Sequence, residues 1–168
     1  RYHLSDPYLR FYYRFVEPDI DLIELGQVDM LWNKISEQFR AFIGATTFEE
    51  ICREWVAVQT RQGQMPFLFQ HLGSHWATDA QVDVVAINWY EKAILLGECK
   101  WGLDAVGHSV IMELVEKTPR VVPGKDWQIH YVFFARAGFT IAAQAEAENI
   151  NAQFVDLARL DHDLRSSS

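Results

Sequence analysis

Four charged residues stand where chemistry can be read from them: Asp83, Glu98, Lys100 and, far upstream, Glu49. Asp83 interrupts the apolar run Val82-Asp83-Val84-Val85-Ala86-Ile87, and Glu98 and Lys100 close the run Ala93-Ile94-Leu95-Leu96-Gly97-Glu98-Cys99-Lys100. Carboxylates inside hydrophobic strands are costly unless something compensates their charge. The two runs flank Trp89-Tyr90-Glu91-Lys92, a spacing that suits a tight antiparallel hairpin. Closed symmetrically about Tyr90 and Glu91, such a hairpin sets Asp83 opposite Glu98, and two facing like charges ask for a cation. Oxygen ligands favour Mg2+ or Mn2+ over Zn2+, an ion that acidifies water and neutralises charge on a phosphate. Strand alternation puts Glu98 and Lys100 on one face and Cys99 on the other, so Lys100 would orient or deprotonate an attacking water.

Glu49 lies in Thr47-Phe48-Glu49-Glu50-Ile51-Cys52-Arg53-Glu54-Trp55-Val56, where apolar residues recur at helical spacing and Thr47 with Glu50 forms a capping box. It sits beside the apolar face, one turn from Cys52, and can point toward a sheet as a further metal or water ligand. The same spacings equally fit a strand-ending aspartate, a surface Glu98–Lys100 ladder and a helix residue favoured by the dipole.

Those residues need a scaffold, and the rest of the chain outlines one. Aromatic and aliphatic residues at helical spacing predict a short helix over residues 6–16, and a second over residues 23–43 that stops at Gly44. Residues 67–72 are the first expected strand, followed by a loop over 73–79. The hairpin comes next, then a helix over 103–117, a strand over 127–135 apolar enough to be covered on both faces, an alanine-rich helix over 140–149 and a last strand over 153–157. This order predicts an α/β fold with a mixed sheet flanked by helices. Residues 1–44 form a helical lead-in, residues 45–160 the main domain and residues 161–168 a tail.

Composition narrows the function. With 168 residues and 49% hydrophobic content, the chain holds one compact domain with an appendage. No apolar run suits a bilayer span or a signal peptide, and Cys52 and Cys99 lie in unlike contexts, so a cytoplasmic protein with reduced thiols and no membrane partner is expected. The formal charge of -8 argues against a domain that grips nucleic acid by its own field. Bound cations reverse the local field at a carboxylate site, and an attached partner could hold the nucleic acid.

The segments Tyr2-x-Leu4-x-Asp6-Pro7-Tyr8-Leu9-Arg10-Phe11, Phe48-Glu49-Glu50-Ile51-Cys52-Arg53-Glu54, Val82-Asp83-Val84-Val85-Ala86 and Leu96-Gly97-Glu98-Cys99-Lys100-Trp101 together resemble the C-terminal domain of archaeal-type AAA+ (STAND-like) ATPases. That family carries an ATPase, a winged-helix segment and a terminal domain similar to PD-(D/E)xK nucleases such as archaeal Holliday junction resolvases. The resemblance implies a restriction-endonuclease-like fold in which residues 1–44 end the winged-helix region. It places Glu49, Asp83, Glu98 and Lys100 at the nuclease motif, adds the Cys99 carbonyl as a metal ligand, and implies a Mg2+- or Mn2+-dependent DNA endonuclease leaving a 5′ phosphate. The implied partners are DNA, branched or otherwise structured, the ATPase region of a longer chain and a second copy of the domain. Gln81 departs from the pattern, which usually has an acidic residue two before the aspartate. No Gly-x-x-x-x-Gly-Lys-[Ser/Thr] occurs, so ATP hydrolysis by a P-loop is not carried in this stretch.

Other chemistry-bearing residues read more simply. Cys99 with His108 or His130 would be a nucleophile on the wrong strand face, so a packed thiol is expected. His71 and His75 lack partners for a zinc site. Trp76 and Trp101 could stack on bases at the cleft mouth or cap the core, and Arg53, Arg120 and Lys125 could meet phosphate or stay solvated. Beside the nuclease stands an alternative, a catalytically silent nuclease-fold module that serves as an interaction or regulatory platform for the ATPase.

Overall fold

The structure is a computed structural model that describes residues 6–166. The first five residues of the helical lead-in and the last two of the expected tail lie outside the described residues. The chain divides into two compact units, Arg1–Thr47 and Phe48–Ser168.

In the first unit Asp6 caps α1 (Pro7–Phe11) by accepting from the Leu9 amide, with Pro7 pre-set for the first turn. A π-turn (Tyr12–Val16) and a 3-10 turn (Glu17–Asp19) lead into α2 (Ile20–Glu24). The single helix expected over residues 23–43 is instead interrupted: α2 ends at Glu24, Gly26 adopts φ +71, and α3 runs Val28–Phe42. A left-handed residue is cheap only for glycine, so Gly26 turns the chain where the apolar spacing is continuous. Phe15, Leu31 and Ile35 form this unit's own core, closed by edge-on contacts of Phe15 with Phe39 and Phe42.

The second unit is a mixed α/β layer structure. Its elements are α4 (Phe48–Arg61), β1 (His71–Trp76), β2 (Gln81–Asn88), β3 (Ala93–Lys100), α5 (His108–Val121), β4 (Gln128–Ala135), α6 (Ile141–Asn149), β5 (Gln153–Asp156) and α7 (Leu157–Arg165). The sheet has five strands in sequence order, antiparallel from β1 to β3 and parallel from β3 to β5. Ile94, Leu96, Tyr131 and Phe133 cover one face beneath Ile111 and Leu114 of α5. Phe134, alternating to the other face, meets Trp55 of α4 at 5.5 Å.

Three expectations shift. The first strand begins at His71, not at residue 67, and takes up most of the expected loop, because a bulge between Gly73 and His75 lets this weakly patterned segment follow β2. The helix expected from residue 103 starts at His108, since Val106 is drawn into an isolated bridge with Phe139. Residues 161–165, expected as tail, belong to α7, which Asp156 caps at the Arg159 amide and which the Trp55 indole anchors by donating to Asp163.

The pairing of β2 with β3 runs from Asn88↔Ala93 to Val84↔Gly97 and ends there. β1 and β2 stay paired as far as Trp76↔Gln81, and β3 and β4 as far as Lys100↔Ala135. The sheet therefore forks between β2 and β3. Asp83 and Glu98 are the first residues past the last pair, one on each prong.

Candidate functional site

Asp83 reaches back across the fork. Its Oδ2 accepts from the Cys99 amide at 2.9 Å, so the carboxylate takes the place of a strand partner. The Asp83 carbonyl accepts from Arg53 Nη1 at 2.9 Å, and Arg53 also lies 3.6 Å from Glu49, four residues earlier on α4. One guanidinium thus ties the start of α4 to β2. Lys100 Nζ donates to Glu98 Oε1 at 2.6 Å. The other oxygen, Glu98 Oε2, is buried and has no hydrogen-bond partner.

The electrostatics describe one cluster. Burial pushes the Glu98 carboxyl above its ordinary value, opposed by the Lys100 hydrogen bond and assisted by the Asp83 charge. Burial likewise raises Glu49, with Asp83 adding to the rise and Arg53 working against it. For Lys100 burial alone would lower the pKa, but the bond to Glu98 and the charges of Glu98 and Asp83 outweigh it and hold the ammonium protonated. Glu49, Asp83, Glu98 and Lys100 are therefore brought within electrostatic reach of one another from three elements, α4, β2 and β3.

An orphaned buried carboxylate oxygen is expensive unless a cation takes it. With two more carboxylates beside it the donor set is all oxygen and suits a hard divalent ion. Among the described residues no three acidic, His or Cys side chains are already gathered as a finished metal cage. The reason is visible: Asp83 is turned to an amide, Glu49 to Arg53 and Glu98 Oε1 to Lys100. The residues present fit a divalent cation once Asp83 or Glu49 exchanges its protein partner for the ion.

The remaining candidates separate from this cluster. Cys99 points its thiol at Cys52, and burial followed by that contact pushes its pKa well above the usual range. His130 is paired with Leu95 far down the strand, and His108 faces Glu146 at 3.5 Å, so neither activates Cys99. Trp76 is exposed at the end of β1, whereas Trp101 is held between Phe48, 4.9 Å away, and Arg136, whose guanidinium lies 4.8 Å over its ring. Arg120 donates to the Asp79 carbonyl. From the sequence Arg53 was a phosphate contact or a solvated charge. Its spacing of four from Glu49 was the signal that it braces the site.

A 101-residue stretch, 60% of the chain, is 29% identical to the uncharacterized protein MJECL04 of Methanocaldococcus jannaschii and covers 22% of that protein. The chain spans about a fifth of that relative's length. No solved structure matches the chain. The model of a family described as "Archaea bacterial proteins of unknown function", DUF234, matches residues 12–109, a segment that contains Glu49, Asp83, Glu98 and Lys100. With more than half of its length inside that match, the chain belongs to the DUF234 family.

Proposed function

We propose that the second unit is a PD-(D/E)xK-type endonuclease domain that hydrolyses DNA with Mg2+ or Mn2+, and that it is the effector domain of a longer AAA+ ATPase. The observation that carries this reading is the unpartnered Glu98 Oε2, buried at a fork in the sheet beside Asp83, with Lys100 on the same carboxylate. The antiparallel β1–β2–β3 half joined to a parallel β3–β4–β5 half, with α4 and α5 on opposite faces, supports a restriction-endonuclease-like assignment. Asp83, Glu98, Glu49 and the Cys99 carbonyl would hold the ion.

When bound, the ion supplies charge neutralisation at the phosphate and a lowered pKa for water. Lys100, hydrogen-bonded to Glu98, holds a phosphate oxygen or the attacking water by Nζ. Glu49, at the start of α4, would complete the oxygen set or hold the attacking water. Arg53, bonded to the Asp83 carbonyl and 3.6 Å from Glu49 Oε2, braces Glu49 against β2.

The test is incubation of the chain with branched and linear DNA in Mn2+. Wild type is expected to cut and leave 5′ phosphates, and Asp83→Asn and Lys100→Ala each to lose about 100-fold or more in rate. Absence of cutting, or cutting that survives in both variants, rejects the reading. A second reading, a silent module serving as a protein-interaction platform, is favoured by the engagement of Asp83, Glu49 and Glu98 with protein donors and by the net charge of -8. Calorimetry separates the two, since the silent module shows no Mn2+ uptake that depends on Asp83 and Glu98.

A further inference from the structure

Beside the carboxylate cluster, at the carboxyl ends of β4 and β5, lies a cavity of about 690 Å3 walled by the Arg136–Gly138 turn and the start of α7. Ligand pockets run roughly 300–1,000 Å3, so it is large enough for a small organic ligand. Its position is tied to the fork. Arg136 directly follows Ala135, the partner of Lys100, and the Arg136 amide donates to the Lys100 carbonyl at 2.9 Å. The ring beneath the Arg136 guanidinium is Trp101, next in sequence to Lys100, and the ring on Trp101 is Phe48, next to Glu49.

Arg136 is the unusual feature of this wall. It is half-buried, held over an indole, and among the described residues it makes no ion pair with a carboxylate. A guanidinium fixed in place with its donors unspent is built to receive a planar or tetrahedral oxyanion, and its fork matches phosphate. The turn that carries it is pinned, because Val106 donates to the Gly138 carbonyl and Thr140 to the Val106 carbonyl. The opposite wall has the reverse character. Asp156 and Asp161 line it, each with Oδ1 engaged, by the Arg159 amide and by Arg165, leaving the second oxygen of each as an acceptor. Leu157 supplies apolar surface between them.

A bare anion would meet repulsion from those two carboxylates. A neutral apolar ligand would leave the guanidinium unused. A nucleotide satisfies every wall at once, with phosphate on Arg136, a base face on Leu157 and N–H or O–H donors toward Asp156 and Asp161. We infer that this cavity takes one nucleotide unit of the DNA strand next to the cleavage point, with Arg136 as its phosphate-positioning residue. The inference rests on the nuclease reading for its substrate, but its binding step needs no metal.

The experiment follows amide shifts of the 15N-labelled chain in EDTA, where no cutting occurs. The probes are deoxyadenosine 5′-monophosphate, deoxyadenosine, inorganic phosphate and a 5′-phosphorylated single-stranded hexamer. The monophosphate is expected to move the Arg136–Gly138 and Leu157 amides, and the hexamer to do so at lower concentration. Deoxyadenosine and phosphate alone should bind at least about tenfold more weakly, and Arg136→Gln should weaken the hexamer about tenfold while Arg136→Lys recovers part of it. In cutting assays Arg136→Gln should raise KM and leave kcat nearly unchanged. Equal shifts with inorganic phosphate, tighter binding of the mononucleotide than of the hexamer, or indifference to Arg136→Gln would each overturn the inference. Failure of the nuclease reading looks different: no cutting by wild type, with Arg136-dependent shifts intact.

Discussion

Glu98 is held in a position that costs the fold something whenever its carboxylate is ionised. Burial favours the protonated acid, so the folded chain binds a proton more tightly at Glu98 than the unfolded chain does. Stability from this group is fully present below the ordinary glutamate range, near 4.5, and is lost as pH rises from there through the raised folded value. Melting in EDTA should therefore show a midpoint that falls over this window, and Glu98→Gln should flatten the fall. An unchanged pH slope in that variant would remove Glu98 as its source. The placement of Asp83, Glu98 and Lys100 at one end of the hairpin was legible in the sequence because a short turn dictates register, and strand alternation then fixes which side chains share a face. Arg53 and Arg136 were not, since a basic residue reads the same whether it braces a backbone carbonyl, lies on an indole or is solvated.

At the scale of elements, Gly97 decides how closely β2, β3 and β4 approach just before the fork. A Cβ there would sit 2.9 Å from both Val132 Cγ1 and Val84 Cβ, and the second of these belongs to the stem of a side chain that cannot swing away. Gly97→Ala should destabilise the chain by about 1–3 kcal/mol and shift Glu98, the next residue, so that cutting falls further than stability alone explains. Denaturant unfolding alongside rate measurement checks this, and a variant as stable as wild type would contradict it. The hairpin, β4 and α6 were readable because turn residues, a long apolar run and the Thr140 cap each act locally. β1 was misplaced because its partner, not its own alternation, makes it a strand. α7 escaped because it is short and mostly polar, and what holds it, the Trp55 bond to Asp163, spans more than a hundred residues. The Asp156 cap was its one local signal.

At the scale of the molecule, each of the two units has buried residues of its own, and every residue of the proposed site falls within Phe48–Ser168. A fragment of residues 48–168 should melt cooperatively and, on the proposed reading, cut DNA with Mn2+ as the whole chain does, and a fragment that is unfolded by circular dichroism would show that the first unit is needed. The mixed α/β class followed from the order of elements, while the division at Thr47 is a property of contacts that composition does not report. No helix among the described residues is long and apolar enough to cross a membrane. The fork between β2 and β3 has a mechanical meaning for the whole sheet. Past Val84↔Gly97 no backbone pair joins β2 to β3, and a side-chain bond, Asp83 Oδ2 on the Cys99 amide, spans the gap, so the aperture between Asp83 and Glu98 follows the twist of the sheet once that bond is exchanged for an ion. Mg2+ prefers oxygens at about 2.1 Å and Ca2+ at about 2.4 Å. An aperture governed by twist can close on either, so ion selectivity at the proposed site would come from the rigidity each ion demands and not from a cage of fixed size.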